Sequence, residues 1–216
     1  MLHSTEKIIL EGLAQRVLTD TDLAILFDKS PASRYGLVNK ALAKKELLAL
    51  RRGLYVLAQP YSQQLWSLPY LANRIMPFSY VSLESALAYH GLIPERVTHT
   101  YSITLFGRNH QFETTLGDFI YYHIPLKSYE YFTGVLQEAV NQQHFFMATP
   151  LRALADWVYV RKINEVNVHY LQYNLRVEQE DINKFKKEEI EALLNVYRSQ
   201  RVLQFLNTLM RELFYV

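Results

Sequence analysis

The chain has 216 residues, enough for one large domain or for a small domain joined to a larger one. Half of the residues are hydrophobic and a fifth are charged, which is typical of a globular protein with a full core. The absence of cysteine excludes disulfides, thiolate zinc sites and cysteine nucleophiles, and it indicates a reducing compartment. Because neither a signal-peptide pattern nor an apolar stretch of about 20 residues is present, we expect a cytoplasmic protein with no membrane partner.

The net charge of +2 is unevenly distributed along the sequence. Residues 29–52 contain seven cations and a single anion, Glu46, so this segment carries +6 and the remaining chain carries −4. Such an asymmetry indicates a nucleic-acid partner more strongly than an even excess of positive charge would.

Three helices are predicted within and before this basic segment. The first covers residues 2–15, and the second runs from a cap at Thr19 or Asp20 to residue 27. A third helix is predicted from the cap and first position formed by Ser30-Pro31 to about residue 45. The spacing i, i+3, i+7 predicts that its inner face is formed by Tyr35, Val38 and Leu42.

The opposite face of the third helix carries polar and cationic side chains suited to DNA. Residues expected near base edges are Ser33, Leu37 and Lys40, and those expected on phosphates are Arg34, Lys44 and Lys45. An apolar residue on an outward face suits contact with a thymine methyl group, which is the role expected for Leu37.

A β-hairpin is predicted directly after this helix. Its strands cover residues 47–51 and 54–57, and the turn places Arg51 and Arg52 at the tip, where they can reach a phosphate or the minor groove. Two short helices, a tight turn, a basic third helix and a two-stranded wing predict a winged helix-turn-helix. The alternative is a solvated helix beside an ordinary hairpin.

The remaining sequence predicts a mixture of helices and strands. Strands are expected within residues 97–106, 111–115 and 119–124, and a helix is expected to begin at Thr149-Pro150. The chain from residue 181 onward is predicted to be helical throughout. The expected fold class is therefore α+β, with a winged helix-turn-helix over residues 1–59 and a larger mixed α/β domain with a helical C-terminus over residues 60–216.

Several segments have the character of family motifs. In chain order they are residues 51–56 (RRGLYV), 80–94 (YVSLESALAYHGLIP), 112–114 with 116–117 (FET and LG), 121–124 (YYHI) and 148–156 (ATPLRALAD). With the winged N-terminus, they make the sequence similar to the AbiEi-like antitoxins, which are transcriptional regulators of abortive-infection (type IV) toxin–antitoxin systems.

The resemblance implies a repressor of its own operon with an AbiEi-like antitoxin domain over residues 60–216. It implies binding to double-stranded DNA at the operator in its own promoter. It also implies a functional partner, a nucleotidyltransferase-like toxin, with which no stable complex is expected.

No catalytic, metal or cofactor site is predicted, because metal-binding histidine spacings, phosphate loops and nucleophile elbows are all missing from the sequence. Two alternatives remain open. One is a nuclease delivered to DNA by the wing, with Glu113, Asp118 and Glu130 as candidate carboxylates. The other is a protein-interaction module whose basic face binds an acidic partner. Two further carboxylates have structural interpretations: Asp156 as a buried hydrogen-bond hub, and Glu84 as a first-turn residue facing its helix dipole.

Overall fold

The computed structural model describes residues 1–215, the side chain of Ser128 left aside. Contacts divide the chain into two compact units: residues 1–66 with 112–117, and residues 67–111 with the chain from 118 onward. The architecture is mixed α and β, with a mixed sheet and a helical C-terminus, which confirms the coarse fold class. The predicted functional boundary after residue 59 stays a prediction, as does the winged helix itself.

Three helices and a small antiparallel sheet form the first unit. In chain order the elements are α1 (His3–Leu10), β1 (Leu18–Thr19), α2 (Asp20–Phe27), α3 (Pro31–Ala43), β2 (Leu47–Arg51) and β3 (Leu54–Leu57). The strands lie in the order β1-β3-β2. Residues of every element form one buried cluster, which includes Ile8, Leu18, Leu23, Val38, Leu47 and Leu57.

Local signals set the boundaries of these helices. The Thr19 side chain accepts a hydrogen bond from the Asp22 amide, and the Asp22 carboxylate accepts one from the Thr19 amide at 2.7 Å, forming a capping box. The prediction that the first helix continues to residue 15 was wrong. Gly12 takes the left-handed conformation (φ 69°), and the Leu13 amide donates to the Ile8 carbonyl at 3.0 Å, which closes α1.

The six-stranded sheet lies in the later part of the chain. The elements that follow β3 are α4 (Leu68–Ile75), β4 (Ser79–Val81), α5 (Leu83–Tyr89), β5 (His99–Thr104), β6 (His110–Thr114), β7 (Gly117–His123), a 3-10 turn (Ser128–Glu130), β8 (Val135–Val140) and β9 (Gln143–Ala148). The strand order is β6-β7-β5-β4-β9-β8. The sheet is mixed, because β5 with β7 and β4 with β9 pair in parallel, whereas β4 with β5 and β8 with β9 are antiparallel.

Five helices complete the chain: α6 (Pro150–Arg161), α7 (Val168–Asn174), α8 (Gln179–Ile182), α9 (Lys187–Leu194) and α10 (Gln200–Phe214). The predicted continuous helix from residue 181 is therefore broken twice. The second break leaves Val196 and Tyr197 buried outside regular helix. Among the described residues, no helix combines the length and apolar character needed to cross a membrane.

A buried ion pair on α6 joins these elements. Arg152 and Asp156 are both fully buried, and the Arg152 Nε lies 3.3 Å from the Asp156 Oδ1. The Asp156 carboxylate also accepts hydrogen bonds from the hydroxyls of Tyr80 at 2.9 Å, Ser82 at 2.7 Å and Tyr197 at 2.6 Å. Asp156 is thus the buried hub that the sequence indicated.

The remaining donors of the Arg152 guanidinium are also used. One terminal nitrogen donates to the Thr133 carbonyl at 2.7 Å, and the other donates to the Tyr80 hydroxyl at 2.6 Å. Burial raises the pKa of both Tyr80 and Tyr197 well above the ordinary value, so both hydroxyls stay protonated and donate to Asp156. The cluster therefore contains a charged pair with matched hydrogen-bond partners.

We expect Asp156→Ala to lower the free energy of unfolding by about 3–5 kcal/mol, because it leaves the Arg152 guanidinium buried without its carboxylate. Urea unfolding of the full chain, followed by circular dichroism, measures the loss. A suitable control is Asp181→Ala, which breaks the pair between Asp181 and the largely exposed Lys184 and should change stability little. Losses of similar size in the two variants would contradict the role of the hub.

Candidate nucleic-acid interface

The third helix begins at a cap that the sequence predicted. The Ser30 side chain accepts a hydrogen bond from the Ser33 amide at 3.3 Å, and Pro31 occupies the first helical position. The preceding helix α2 ends at Asp28, which takes the left-handed conformation (φ 42°). Only two residues therefore separate Asp28 from α3, so the turn between the two helices is tight.

The inward face of α3 agrees with the prediction at Val38 and Leu42, which lies partly buried against the core, but not at Tyr35. Val38 and Ala41 are buried, and Leu37 is partly buried against the core of the first unit. Tyr35, which was predicted to face inward, is 68% exposed. The prediction that Leu37 faces outward was wrong, because a helix centred on Val38 and Ala41 brings residue 37 toward the core. The thymine contact expected for Leu37 thereby loses its basis.

The cations of α3 are exposed at its C-terminal end. Lys40, Lys44 and Lys45 all lie on the surface. The helix ends at Ala43 rather than near residue 45, because Lys45 takes the left-handed conformation (φ 55°), and the Glu46 amide donates to the Ala41 carbonyl at 2.9 Å. Lysines next to the carbonyl end of a helix are also favoured by its dipole.

Two of the predicted contact residues lie at the start of α3. Ser33 is exposed, and its hydroxyl accepts a hydrogen bond from the Ser30 hydroxyl at 3.1 Å. Arg34 is only partly exposed, and its Nη1 donates to the Lys29 carbonyl at 3.1 Å. Arg34 therefore braces the turn before the helix, and its side chain is less accessible than those of the lysines.

The hairpin has the predicted strands and turn, and it exposes both arginines. Arg51 and Arg52 are on the surface, and the Arg51 Nη1 contacts the Arg52 carbonyl at 3.4 Å. Gly53 takes a positive φ of 75°, and a Cβ there would lie 2.8 Å from the Asp20 carboxylate. Glycine is therefore needed at this turn for both conformation and space.

The single anion of the basic segment does not face solvent. Glu46 is only 3% exposed, and its carboxylate accepts hydrogen bonds from the Leu2 amide at 3.1 and 2.8 Å. This backbone hydrogen bond lowers the pKa of Glu46, so the carboxylate stays charged at neutral pH and holds Leu2, the residue that precedes α1. Its charge stabilises the fold. Because this anion is buried, residues 29–52 expose cations but no carboxylate.

Sequence reasoning missed two surface residues of α3. Tyr35 and Asn39 are both exposed, and each can donate or accept a hydrogen bond at a base edge or phosphate. Their position follows from the burial of Val38 and Ala41, since residues 35 and 39 lie off that face at 100° per residue. A prediction that placed Val38 and Ala41 at the centre of the buried face would have identified both residues as exposed.

The carboxylates considered for a nuclease have separate surroundings. Glu113 is exposed on β6, Asp118 lies 3.8 Å from the His99 ring, and Glu130 accepts a hydrogen bond from the Thr133 hydroxyl at 2.8 Å. Within residues 1–215, no group of three or more histidine, aspartate or glutamate side chains is placed to hold a metal ion. These surroundings therefore add no support to the nuclease alternative.

Glu84 was predicted to be a first-turn carboxylate facing its helix dipole, and its contacts are more specific than that. Its Oε1 accepts hydrogen bonds from the Trp157 indole nitrogen at 3.0 Å and from the Arg161 Nε at 2.8 Å. Sequence spacing could not have indicated this cluster, because its members lie more than 70 residues apart.

Comparison with known proteins adds no family to these observations. No model of a known protein family matches the sequence, and no curated protein matches it. The resemblance to AbiEi-like regulators therefore rests on the predicted winged N-terminus and on residues 51–56, 80–94, 112–114 with 116–117, 121–124 and 148–156.

Proposed function

We propose that the chain is a DNA-binding transcriptional regulator that represses its own operon and acts as the antitoxin of an AbiE-type toxin–antitoxin pair. We propose in addition that α1, α2, α3 and the β2–β3 hairpin form a winged helix-turn-helix, with α3 in the major groove. One observation carries the DNA-binding proposal: the exposed cations of α3 and of the adjacent hairpin tip, together with the burial of the only anion of that segment.

The charges suit a phosphate backbone. Lys40, Lys44 and Lys45 project from one end of α3, and Arg51 and Arg52 project from the hairpin tip eight residues after the helix ends. In a winged helix, the wing lies beside the recognition helix and adds backbone or minor-groove contacts. Each cation that contacts a phosphate releases a counterion, so binding should be strongly salt-dependent.

Base contacts would come from the exposed polar residues near the start and middle of the helix. Ser33 and Lys40 were predicted for this role, and Tyr35 and Asn39 join them because both are exposed. Asparagine pairs with adenine through two hydrogen bonds, which makes Asn39 the strongest candidate for direct readout. Arg34 is assigned to the phosphate backbone near the helix start.

The antitoxin part of the proposal rests on the AbiEi-like segments. Most of them lie from residue 80 onward, and they include parts of β4, α5, β6, β7 and the start of α6. The partner would be a nucleotidyltransferase-like toxin, opposed without a stable complex. Under this proposal the chain is not an enzyme, and it acts in the cytoplasm without a cofactor.

We expect binding to a duplex of the chain's own promoter to weaken about 10²–10⁴-fold between 50 and 200 mM salt, as five or six phosphate contacts require. Changing both Lys40 and Lys44 to Ala should weaken binding to any duplex and lower the salt slope by about one unit for each lost contact. Fluorescence anisotropy measures both. The matched control changes Lys186 and Arg198 to Ala, two exposed cations outside the segment.

The control variant should retain the affinity and slope of the original protein. Affinity that does not change with salt, or equal losses in the two double variants, would reject α3 as the DNA-binding element. Tight, salt-sensitive binding to an acidic protein in the absence of duplex binding would favour the interaction-module alternative.

Gly36 provides a second test of the helix's orientation. It lies opposite Val38 and Ala41, and a Cβ added there would meet no atom within 4 Å. Gly36→Ala should therefore stabilise the fold by about 1 kcal/mol, because glycine is a poor helix former. Since the added methyl group stands between α3 and a closely approaching duplex, it should weaken DNA binding without changing the salt slope. Higher stability with unchanged affinity would place residue 36 away from DNA.

Repression and protection should be separable. Changing Arg51 and Arg52 to Ala should weaken repression, because both cations leave the proposed wing. When expression is driven by a foreign promoter, the same variant should still protect cells from the cognate toxin. A variant that is folded by circular dichroism, fails to bind DNA and also fails to protect would contradict this division of roles.

A further inference from the structure

Strand β8 lies at one edge of the six-stranded sheet, with β9 as its partner strand. Four of its six residues are exposed, and its pairing with β9 runs from Val135 to Val140 without a bulge. An open edge strand is a template for another strand, so proteins usually protect it with lysine, proline, a bulge or a covering segment. The sequence of β8 contains neither lysine nor proline, and its one charged residue is Glu138.

The turn between β8 and β9 determines which residues of β8 point away from the sheet. Both turn residues, Asn141 and Gln142, have a positive φ (50° and 62°). A two-residue turn of this kind is flanked by a pair that exchanges two backbone hydrogen bonds, so Val140 bonds to β9, and so does every second residue before it. The same alternation reaches the other end of the hairpin, where the Thr149 amide donates to the Gly134 carbonyl at 2.8 Å. The even-numbered residues of β8 therefore bond to β9, and the odd-numbered residues point outward.

The outward backbone groups belong to Val135, Gln137 and Ala139. The Val135 amide donates to the Phe132 carbonyl at 3.0 Å. Within residues 1–215, the amides of Gln137 and Ala139 have no acceptor, and the carbonyls of all three outward residues have no donor. The two free amides lie two residues apart along one edge, which is the spacing that pairing with a further antiparallel strand uses.

We propose that the chain forms a homodimer in which β8 pairs antiparallel with β8 of a second copy. A twofold axis at Gln137 places this residue opposite Gln137 of the second copy, and Ala139 opposite Val135 of the second copy. The Gln137 amide then donates to the opposite Gln137 carbonyl, and the Ala139 amide donates to the opposite Val135 carbonyl. Because the symmetry repeats both hydrogen bonds, the free amides of both copies all gain an acceptor.

Charge selects this register over the adjacent one. An axis at Glu138 would also give the free amides acceptors, but it would place two Glu138 carboxylates directly opposite each other, which is unfavourable. With the axis at Gln137, Glu138 instead lies opposite the exposed Leu136 of the second copy, and the two Gln137 side-chain amides can bond to each other. The edge is therefore complementary to itself in both hydrogen bonds and charge, which identifies the occupant as a second copy. The contact uses none of residues 29–52, so it is independent of the DNA-binding proposal.

Sedimentation velocity of the full chain over a wide concentration range tests the pairing. A contact through one short strand predicts a weak dimer with a dissociation constant of about 10–100 µM. The mass should therefore rise from 25.4 kDa toward twice that value with concentration. Hydrogen exchange at the Gln137 and Ala139 amides should slow over the same range, because both become hydrogen-bonded. A chain that stays monomeric up to about 500 µM, far above the expected dissociation constant, would overturn the proposal and leave the edge to a strand of another protein.

Charge variants at the axis test the register. Gln137→Lys and Gln137→Glu each place like charges opposite each other, and each should weaken the dimer about tenfold or more. An equimolar mixture of the two variants should dimerise again, because opposite charges then face each other. The matched controls are Gln204→Lys and Gln204→Glu, at an exposed glutamine of α10, and both should dimerise normally. Single variants that dimerise like the original protein, or a mixture that does not recover, would overturn the proposal.

A proline variant tests the backbone contact itself. Ala139→Pro removes an amide that points away from β9, so the β8–β9 hairpin should persist, as proline is tolerated on this side of an edge strand. The dimer should weaken about tenfold or more, because two hydrogen bonds are lost from each dimer. Undiminished dimerisation of this variant, shown to be folded by circular dichroism, would contradict the pairing. The Gln137 variants change only an exposed side chain and decide the question if the proline variant unfolds.

Discussion

The buried pair of Arg152 and Asp156 constrains the second unit more than any other interaction. Two charges without solvent are costly unless every donor and acceptor has a partner. Here the partners come from β4, from the start of α5, from the loop before β8 and from the break between α9 and α10. A chain that places this pair inside the fold must therefore bring three separate segments, around residues 80–82, 133 and 197, to α6, and that requirement fixes much of the packing.

The hub also explains irregular backbone near it. Ser82 precedes α5 where a capping hydroxyl is expected, yet its side chain donates to Asp156 instead. The next residue, Leu83, is fully buried with a φ of 52°, a conformation that costs a non-glycine residue about 1–2 kcal/mol. The burial of Leu83 and the bond from Ser82 to Asp156 hold the chain in this conformation. Tyr197 likewise reaches Asp156 only because the helix is interrupted before it.

Two residues after Ser82, a second polar side chain contacts α6. Glu84 contacts Trp157 and Arg161, which follow Asp156 on α6. Two sets of polar contacts thus hold the start of α5 to α6. The hydrogen bond between Ser82 and Asp156 is fully buried, and the contacts of Glu84 are partly exposed. The charged and polar groups of the first cluster all have hydrogen-bond partners. In the second cluster, the buried Oε2 of Glu84 accepts no hydrogen bond from the described residues.

Sequence patterns predicted structure where a residue acts on its own neighbours. The caps at Thr19, Ser30 and Thr149 and the hairpin turn at Arg52-Gly53 are such local signals, and all four are present. Sequence patterns failed where contacts between residues far apart in the chain determine the structure. The strands β8 and β9 went unpredicted, because most of β8 is exposed and its sequence, VLQEAV, lacks regular alternation.

The predicted orientation of α3 was wrong at Tyr35 and Leu37 for a related reason. Tyr35, Val38 and Leu42 fit one helical face, and Leu37, Val38 and Ala41 fit another that is rotated by roughly a quarter of a turn. Apolar spacing alone cannot choose between the two faces. The core of the first unit buries Val38 and Ala41 and packs against both Leu37 and Leu42, whereas Tyr35 is exposed and its hydroxyl keeps access to water. The predicted exposure of the lysines depended less on this rotation, because a long lysine side chain can reach solvent in either orientation of the helix.

The two units also use charge differently, and this bears on how the chain would meet DNA. In the second unit, three cations each pair with a carboxylate: Arg152 with Asp156 inside the hub, Arg161 with Glu84, and Lys184 with Asp181 at the surface. In the basic segment the opposite holds, because its anion is internal and its lysines are exposed. If the chain binds DNA as proposed, the phosphate backbone would be attracted to residues 29–52 and would gain little from the remaining chain, which carries −4. Long-range attraction of this kind orients an encounter before any base is contacted. Specificity would then depend on the few polar side chains, Ser33, Tyr35 and Asn39, that α3 presents among its cations.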